Sequence, residues 1–233
     1  MRKVRSKARR IFTMMSKPNE KKIIAVLMKQ HGRTFSSELE IKMENATASA
    51  LFRWLCASLL FSARIGNEIA TEAARALTKS GWTTAQKMAA ATWEERTRVL
   101  NHAGYARYDE KTSRMLADTS NLLLKCYNGY LRKLRDAAER DPTRERKLLM
   151  ECKGIGGVGA DIFLREVQTA WTELQPFADA AALRSAGKLD LPTKAEELAK
   201  LVPKKDFPCL VAALVRCQLA KDPKEVLAAA RES

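Results

Sequence analysis

Histidine is almost missing from this chain: His31 and His102 are the only two in 233 residues, and neither sits beside a cluster of cysteines. A zinc site or a di-metal hydrolase needs several such ligands drawn together, so metal-assisted hydrolysis has little to build on. The five cysteines (56, 126, 152, 209 and 217) are odd in number and scattered through apolar text such as "WLCASLLF". That spacing excludes a disulfide framework and suits buried thiols in a reducing compartment, either cytoplasmic and nucleoid-associated or nuclear. Long apolar runs are lacking as well. The charge-free stretch from Trp54 to Ala63 is about half the ~20 residues that cross a bilayer, so no membrane is expected as a partner. The start, "MRKVRSKARRIFTMMSKP", has neither the long apolar core nor the cleavage site of a secretory signal, and it reads as a disordered basic arm.

Strand signals are nearly absent too. No run alternates apolar and polar residues for long, and no Asn-Gly hairpin is apparent. Helical periodicity fills the space instead, over 19–31, 46–63, 67–79, 84–90, 93–102, 109–139, 142–152, 158–171, 179–187, 194–201, 208–220 and 223–231. The fold is therefore expected to be all-α. Asp141 followed by Pro142 caps and opens one helix, Pro208 opens another, and Gly66 and Gly187 are expected to close theirs. The glycines of 154–159 follow a helix rather than a strand, which excludes a P-loop or Rossmann fingerprint.

Acidic residues are short against basic ones, 27 to 42, giving a formal net charge of +15. A surface of that sign attracts polyanions, of which nucleic acid is the commonest. The stretch "KGIGGVGADIFLREV" gives that surplus a focus. Gly154 is expected to end one helix in the left-handed conformation, and Gly156 and Gly157 to let the backbone turn back before the next helix begins. Unobstructed amides at such a helix start, with Lys153 and basic neighbours such as Arg184 and Lys188, suit phosphate; the plainer alternative is a tight helical turn and nothing more.

The run "LLMECKGIGGVGADIF" resembles the helix-hairpin-helix of the endonuclease III superfamily of DNA repair glycosylases. Upstream, "ALFRWLCASLLFSARIGNEIATEAARAL" and "LNHAGYARYDEKTSRMLADTSNLL" resemble the family's first long barrel helix and a later segment; downstream, "QPFADAAALRSAGKLDL" resembles the stretch that holds its aspartate. The resemblance spans roughly residues 45–220. It implies a two-lobed all-α fold, with a helical barrel over 46–170 ending in the hairpin and a second lobe built from 1–45 together with 171–233, the cleft lying between them. It also implies a DNA glycosylase, or a non-enzymatic DNA-binding protein that kept the hairpin and lost catalysis. Double-stranded DNA is then the partner and a monomer the expected state.

Carried over by position, the family's catalytic aspartate falls on Asp179, where an aspartate also makes a good helix cap. The phosphate-binding backbone falls on Lys153, Gly154, Ile155, Gly156, Gly157 and Gly159. Arg64 falls where relatives insert a side chain into the gap left by a flipped nucleotide, although a surface arginine reads equally well. Tyr105 and Tyr108 are the preferred base-stacking pair over Trp54 and Phe61. Carbonyls of Met150, Cys152 and Ile155 match a monovalent cation site of relatives. Two departures stand out. The lysine nucleophile of the strand-cutting members is Val158 here, which implies a monofunctional enzyme in which water attacks. The four-cysteine iron–sulfur motif is reduced to Cys209 and Cys217, so no cluster is expected and no other cofactor.

Overall fold

The computed structural model describes residues 19–232, so the basic arm expected at 1–18 lies outside the described residues. Every regular element among those residues is helical. The apolar segment after Thr47, whose hydroxyl accepts the Ala50 amide and so opens the helix, forms α3 (Ala48–Phe61). With so few charges it has no polar face to turn outward and is buried nearly all round; Leu51, Trp54, Leu55 and Leu60 are sealed from solvent. The Trp54 indole N–H donates to the Phe163 carbonyl at 3.1 Å, satisfying the one polar atom it brings inside. Around α3 pack α4 (Asn67–Lys79) and α10 (Gly157–Val167), while α5 (Ala85–Ala90) and α6 (Trp93–His102) pack on α7 (Asp109–Tyr127).

A second group centres on α13 (Phe207–Ala220), which buries Leu210, Val211, Leu214 and Val215 and packs on α1 (Glu20–His31) and α11 (Ala180–Lys188), while α14 (Pro223–Glu232) packs on α1. Helix α10 touches both α3 and α13, so its side chains stand where the two groups meet. Its Glu166 is buried and accepts the backbone amides of Phe35 and Ser36, each at 2.7 Å, which fixes the start of the short helix α2 (Phe35–Glu38).

Several expected boundaries move, each for a local reason. The helix expected over 109–139 breaks into α7 and α8 (Leu131–Ala137), because Asn128 and Gly129 take positive φ values of 53° and 82° and the Gly129 amide turns back onto the Leu123 carbonyl at 2.8 Å. An Asn-Gly pair is a helix stop here, not a hairpin. Gly66 opens α4 in extended backbone instead of closing α3, and Gly187 lies inside the last turn of α11, which runs on to Lys188. Of the cysteines, Cys126 is exposed, not buried, although all five are free thiols.

Candidate nucleic-acid interface and cavity

Helix α9 (Pro142–Met150) opens on the Asp141 cap and Pro142 as expected, and a short turn joins it to α10. Gly154 makes that turn. Its φ of +89° is one that a side chain strains, and a Cβ there would meet Met115 Sδ at 2.7 Å and Leu59 Cδ1 at 3.1 Å. The carbonyl of the preceding Lys153 accepts the Thr119 hydroxyl at 2.9 Å, which ties the turn to α7. Gly156 differs from the expectation: its φ is −86° with ψ −171°, ordinary extended backbone, and nothing lies within 4 Å of where a Cβ would stand. The fold does not require glycine at 156.

No side chain caps α10, so the amides of Gly157, Val158 and Gly159 have no helical partner and carry the positive end of the dipole. Lys153 is exposed beside them, whereas Ile155 as a whole is 1% exposed and its amide is spent on the Cys152 carbonyl, so the expected phosphate-holding role does not fit it. A residue that sequence reading missed completes this edge: Arg146 of α9 donates to Asp161 at 2.8 Å and to the Gly157 carbonyl at 3.4 Å. Its cation stands over the first turn of α10, and only the folded hairpin brings positions 146 and 157 together. Of the expected cation-site carbonyls, that of Cys152 accepts the Ile155 amide at 2.9 Å.

Next to this edge opens a cavity of about 350 Å³. Its walls come from α3 and the loop after it (Phe61, Ile65), α4 (Asn67), α10 (Val158, Asp161, Ile162, Arg165), the α2 start (Phe35), α11 with its cap (Asp179, Arg184), and α13 (Val215, Leu219). The lining is mainly apolar, with a few polar groups, as small-molecule sites usually are. Asp179 caps α11 as its residue type predicts, Oδ1 accepting the Ala182 amide at 2.9 Å. Its Oδ2 accepts from Arg165 twice, from Nε at 2.7 Å and from Nη2. The pair is buried, Asp179 6% and Arg165 5% exposed. The loop that delivers Asp179 is held by Gln168, whose amide donates to the Phe177 carbonyl at 2.9 Å and accepts the Phe177 amide at 3.1 Å.

Other expected site residues fall in different places. Tyr105 does not line the cavity: it is 0% exposed, and its hydroxyl donates to the Leu60 carbonyl at 3.1 Å, so it is a core residue packed on α3. Burial pushes its phenol up to about 12. Tyr108 is half-buried at the start of α7, 6.4 Å from Tyr105 ring to ring, and is also absent from the walls. The aromatic rings that do face the cavity are Phe35 and Phe61, set edge to face at 5.8 Å. Their helices carry no local mark of a binding role, and only the packing of α2 onto α10 presents Phe35. Arg64 is exposed in the loop leading to Ile65 and Asn67, Arg184 is exposed at the cavity, and Lys188 donates to the Gln218 side chain at 2.7 Å.

The fold is an all-helical one with a helix-hairpin-helix at the junction of its two helical groups. No family model matches the chain, and no curated protein matches it. Among solved structures it is similar to a trapped endonuclease III–DNA covalent intermediate, an estranged-adenine complex, with 19% identity, 70% of this chain and 71% of that chain covered, and a TM-score of 0.46. It is similar also to a non-covalent endonuclease III–DNA complex, with 20% identity, the same coverage and a TM-score of 0.47.

Proposed function

We propose that this protein is a DNA glycosylase that draws an extruded base into the cavity and hydrolyses its N-glycosidic bond. The observation that carries this reading is the adjacency of two parts: an uncapped, cation-flanked helix start suited to a phosphate, and an apolar cavity whose wall holds the carboxylate of Asp179. A carboxylate there stabilises the electron-poor sugar that forms as the base departs. Val158, 65% exposed on the cavity wall, offers no amine, and no lysine is among the lining residues. That supports attack by water, leaving an abasic site without strand cleavage. The substrate is double-stranded DNA, the acting unit is a monomer, and no cofactor is needed. Cys217 is buried within α13 and Cys209 half-buried on it, and among the described residues no group of three or more His, Cys, Asp or Glu is placed to hold a metal.

A second reading, a DNA-binding protein without catalysis, is favoured by one fact: both oxygens of Asp179 are already engaged, by Arg165 and by the helix cap. Incubation with duplexes carrying a panel of modified and mismatched bases decides between them. We expect base release, strand breakage only after alkali or heat, no adduct on borohydride treatment, and no stoichiometric iron in the protein. Tight binding with no base released from any duplex selects the second reading.

A further inference from the structure

Arg165 is the least expected charge in the molecule: a guanidinium buried on the wall of an apolar cavity, with the Asp179 carboxylate as its fixed partner. Only one edge of it is used. Nε and Nη2 both donate to Asp179 Oδ2, whereas Nη1 has no hydrogen-bond acceptor among the described residues. Nη1 is not among the unpartnered polar atoms sealed from solvent. The residue as a whole is 5% exposed and is one of the residues lining the cavity, which sets the unpaired fork beside that space. A donor that keeps only a little accessible surface is poorly hydrated, and a hydrogen bond donated to an acceptor of a bound group replaces that incomplete hydration. The guanidinium plane is also rigidly held, by the carboxylate on one edge and by the Phe35 ring, whose centroid lies 5.9 Å from Cζ. A fixed cation with one free fork is arranged to receive a ligand acceptor.

We infer that Arg165 is a base-reading residue, donating from Nη1 to a carbonyl oxygen of the extruded base and so selecting bases that carry a ring carbonyl over those that do not. This rests on the reading of the cavity as a base pocket. The same contact serves the chemistry. As the bond from C1′ to the base nitrogen breaks, its electron pair passes to the base and spreads onto the carbonyl oxygen, where the guanidinium stabilises it without giving up a proton. Water adds to C1′ and loses its proton to solvent, and the base anion regains one there. Asp179 then has two tasks, facing the sugar and holding Arg165 in place. Apolar walls alone discriminate weakly between bases of similar shape, whereas a site built to hydrogen-bond a group rejects the analogue lacking it far more strongly.

The test uses the full chain and three duplexes that cannot be hydrolysed. Each carries, opposite thymine, either 2′-fluoroarabino-hypoxanthine, the corresponding unsubstituted purine without the carbonyl, or a tetrahydrofuran abasic analogue. The wild type should bind the hypoxanthine duplex roughly tenfold to a hundredfold more tightly than the purine duplex, the span of a charged hydrogen bond. Arg165→Lys leaves a single nitrogen for Asp179 and removes the free fork; it should erase that ratio by lowering affinity for the hypoxanthine duplex far more than for the purine and abasic duplexes. Equal wild-type affinity for the hypoxanthine and purine duplexes overturns the inference and needs no variant. So does a uniform loss on all three duplexes in Arg165→Lys, which would place the guanidinium on the DNA backbone. Failure of the wild type to bind any of the three would instead sink the DNA reading on which the inference stands.

Discussion

Asp179 shows how a residue can be legible by type and still be misjudged in its energetics. As a helix cap it exchanges with Asn at little cost, and the sequence alone predicts a nearly silent Asp179→Asn change in stability. The fold adds Arg165, 5% exposed and paired to the same carboxylate. Removing one partner of a buried pair strands the other, at roughly 3–5 kcal/mol. Asp179→Asn should therefore lower unfolding free energy by a few kcal/mol in denaturant titrations, besides reducing any excision by orders of magnitude. An unchanged unfolding midpoint would mean that Arg165 finds water when its partner is lost. Arg165 itself carried no signal in the sequence, because an arginine in "FLREVQ" reads as an ordinary charge on a helix.

At the level of the hairpin, two glycines two residues apart have opposite jobs. Gly154 is demanded by the turn, since its φ is positive and Met115 and Leu59 crowd the missing Cβ. Gly154→Ala should cost about 1–3 kcal/mol of stability, read from thermal or denaturant unfolding. Gly156 has ordinary backbone angles and open space around it. Gly156→Val replaces an accepted N-cap residue by a poor one and should cost no more than about 1 kcal/mol; on the proposed function it should also weaken binding to every duplex alike, because it would screen amides that contact phosphate and do not read sequence. Across the interface, four to six phosphate contacts would give a log–log salt slope of roughly −4 to −5. Selective loss on one sequence, or binding indifferent to salt, would contradict this use of the helix start.

For the molecule as a whole, the most exposed weakness is a buried acid where α8, α9 and the segment after α10 meet. Glu145 is 0% exposed, neither carboxylate oxygen has a hydrogen-bond donor, and the Arg135 Nε lies 4.0 Å away. Arg135 spends its fork on Glu173, at 2.5 Å from each of two nitrogens. Burial first, and then the neighbouring Glu173 carboxyl, push the Glu145 acid up to about 8. Burial would raise Glu173 too, but the Arg135 fork outweighs it and the net direction is down. With the folded value of Glu145 above the unfolded one, the native state binds the extra proton. Its contribution is complete below the ordinary carboxylate range and is lost as pH rises from there to about 8. The slope is at most about 1.4 kcal/mol per pH unit. Glu145→Gln should flatten the fall in melting temperature between pH 5 and pH 8, roughly the window between the two states, and a parallel wild-type curve would refute it.

What the sequence determined by itself is what depends on neighbours along the chain. Helical periodicity, the Asp141 and Asp179 caps, the left-handed Gly154 and the basic surplus are all local or additive properties, and each can be read without knowing the fold. The break at Asn128–Gly129 was also local and written in the residues, but the long amphipathic pattern on both sides masked it. What only the tertiary structure decided is which side chains meet across the cavity. Tyr105 and Tyr108 had suitable rings, yet α3 and α7 close over Tyr105 and keep it in the core, while Glu166 of α10 holds the start of α2 and turns Phe35 to the wall. Arg146 over α10 and Arg165 on Asp179 are pairings 15 and 14 residues apart. Such contacts arise from how helices pack, and helix packing depends on the shape of the whole buried surface, which no local pattern of residues specifies.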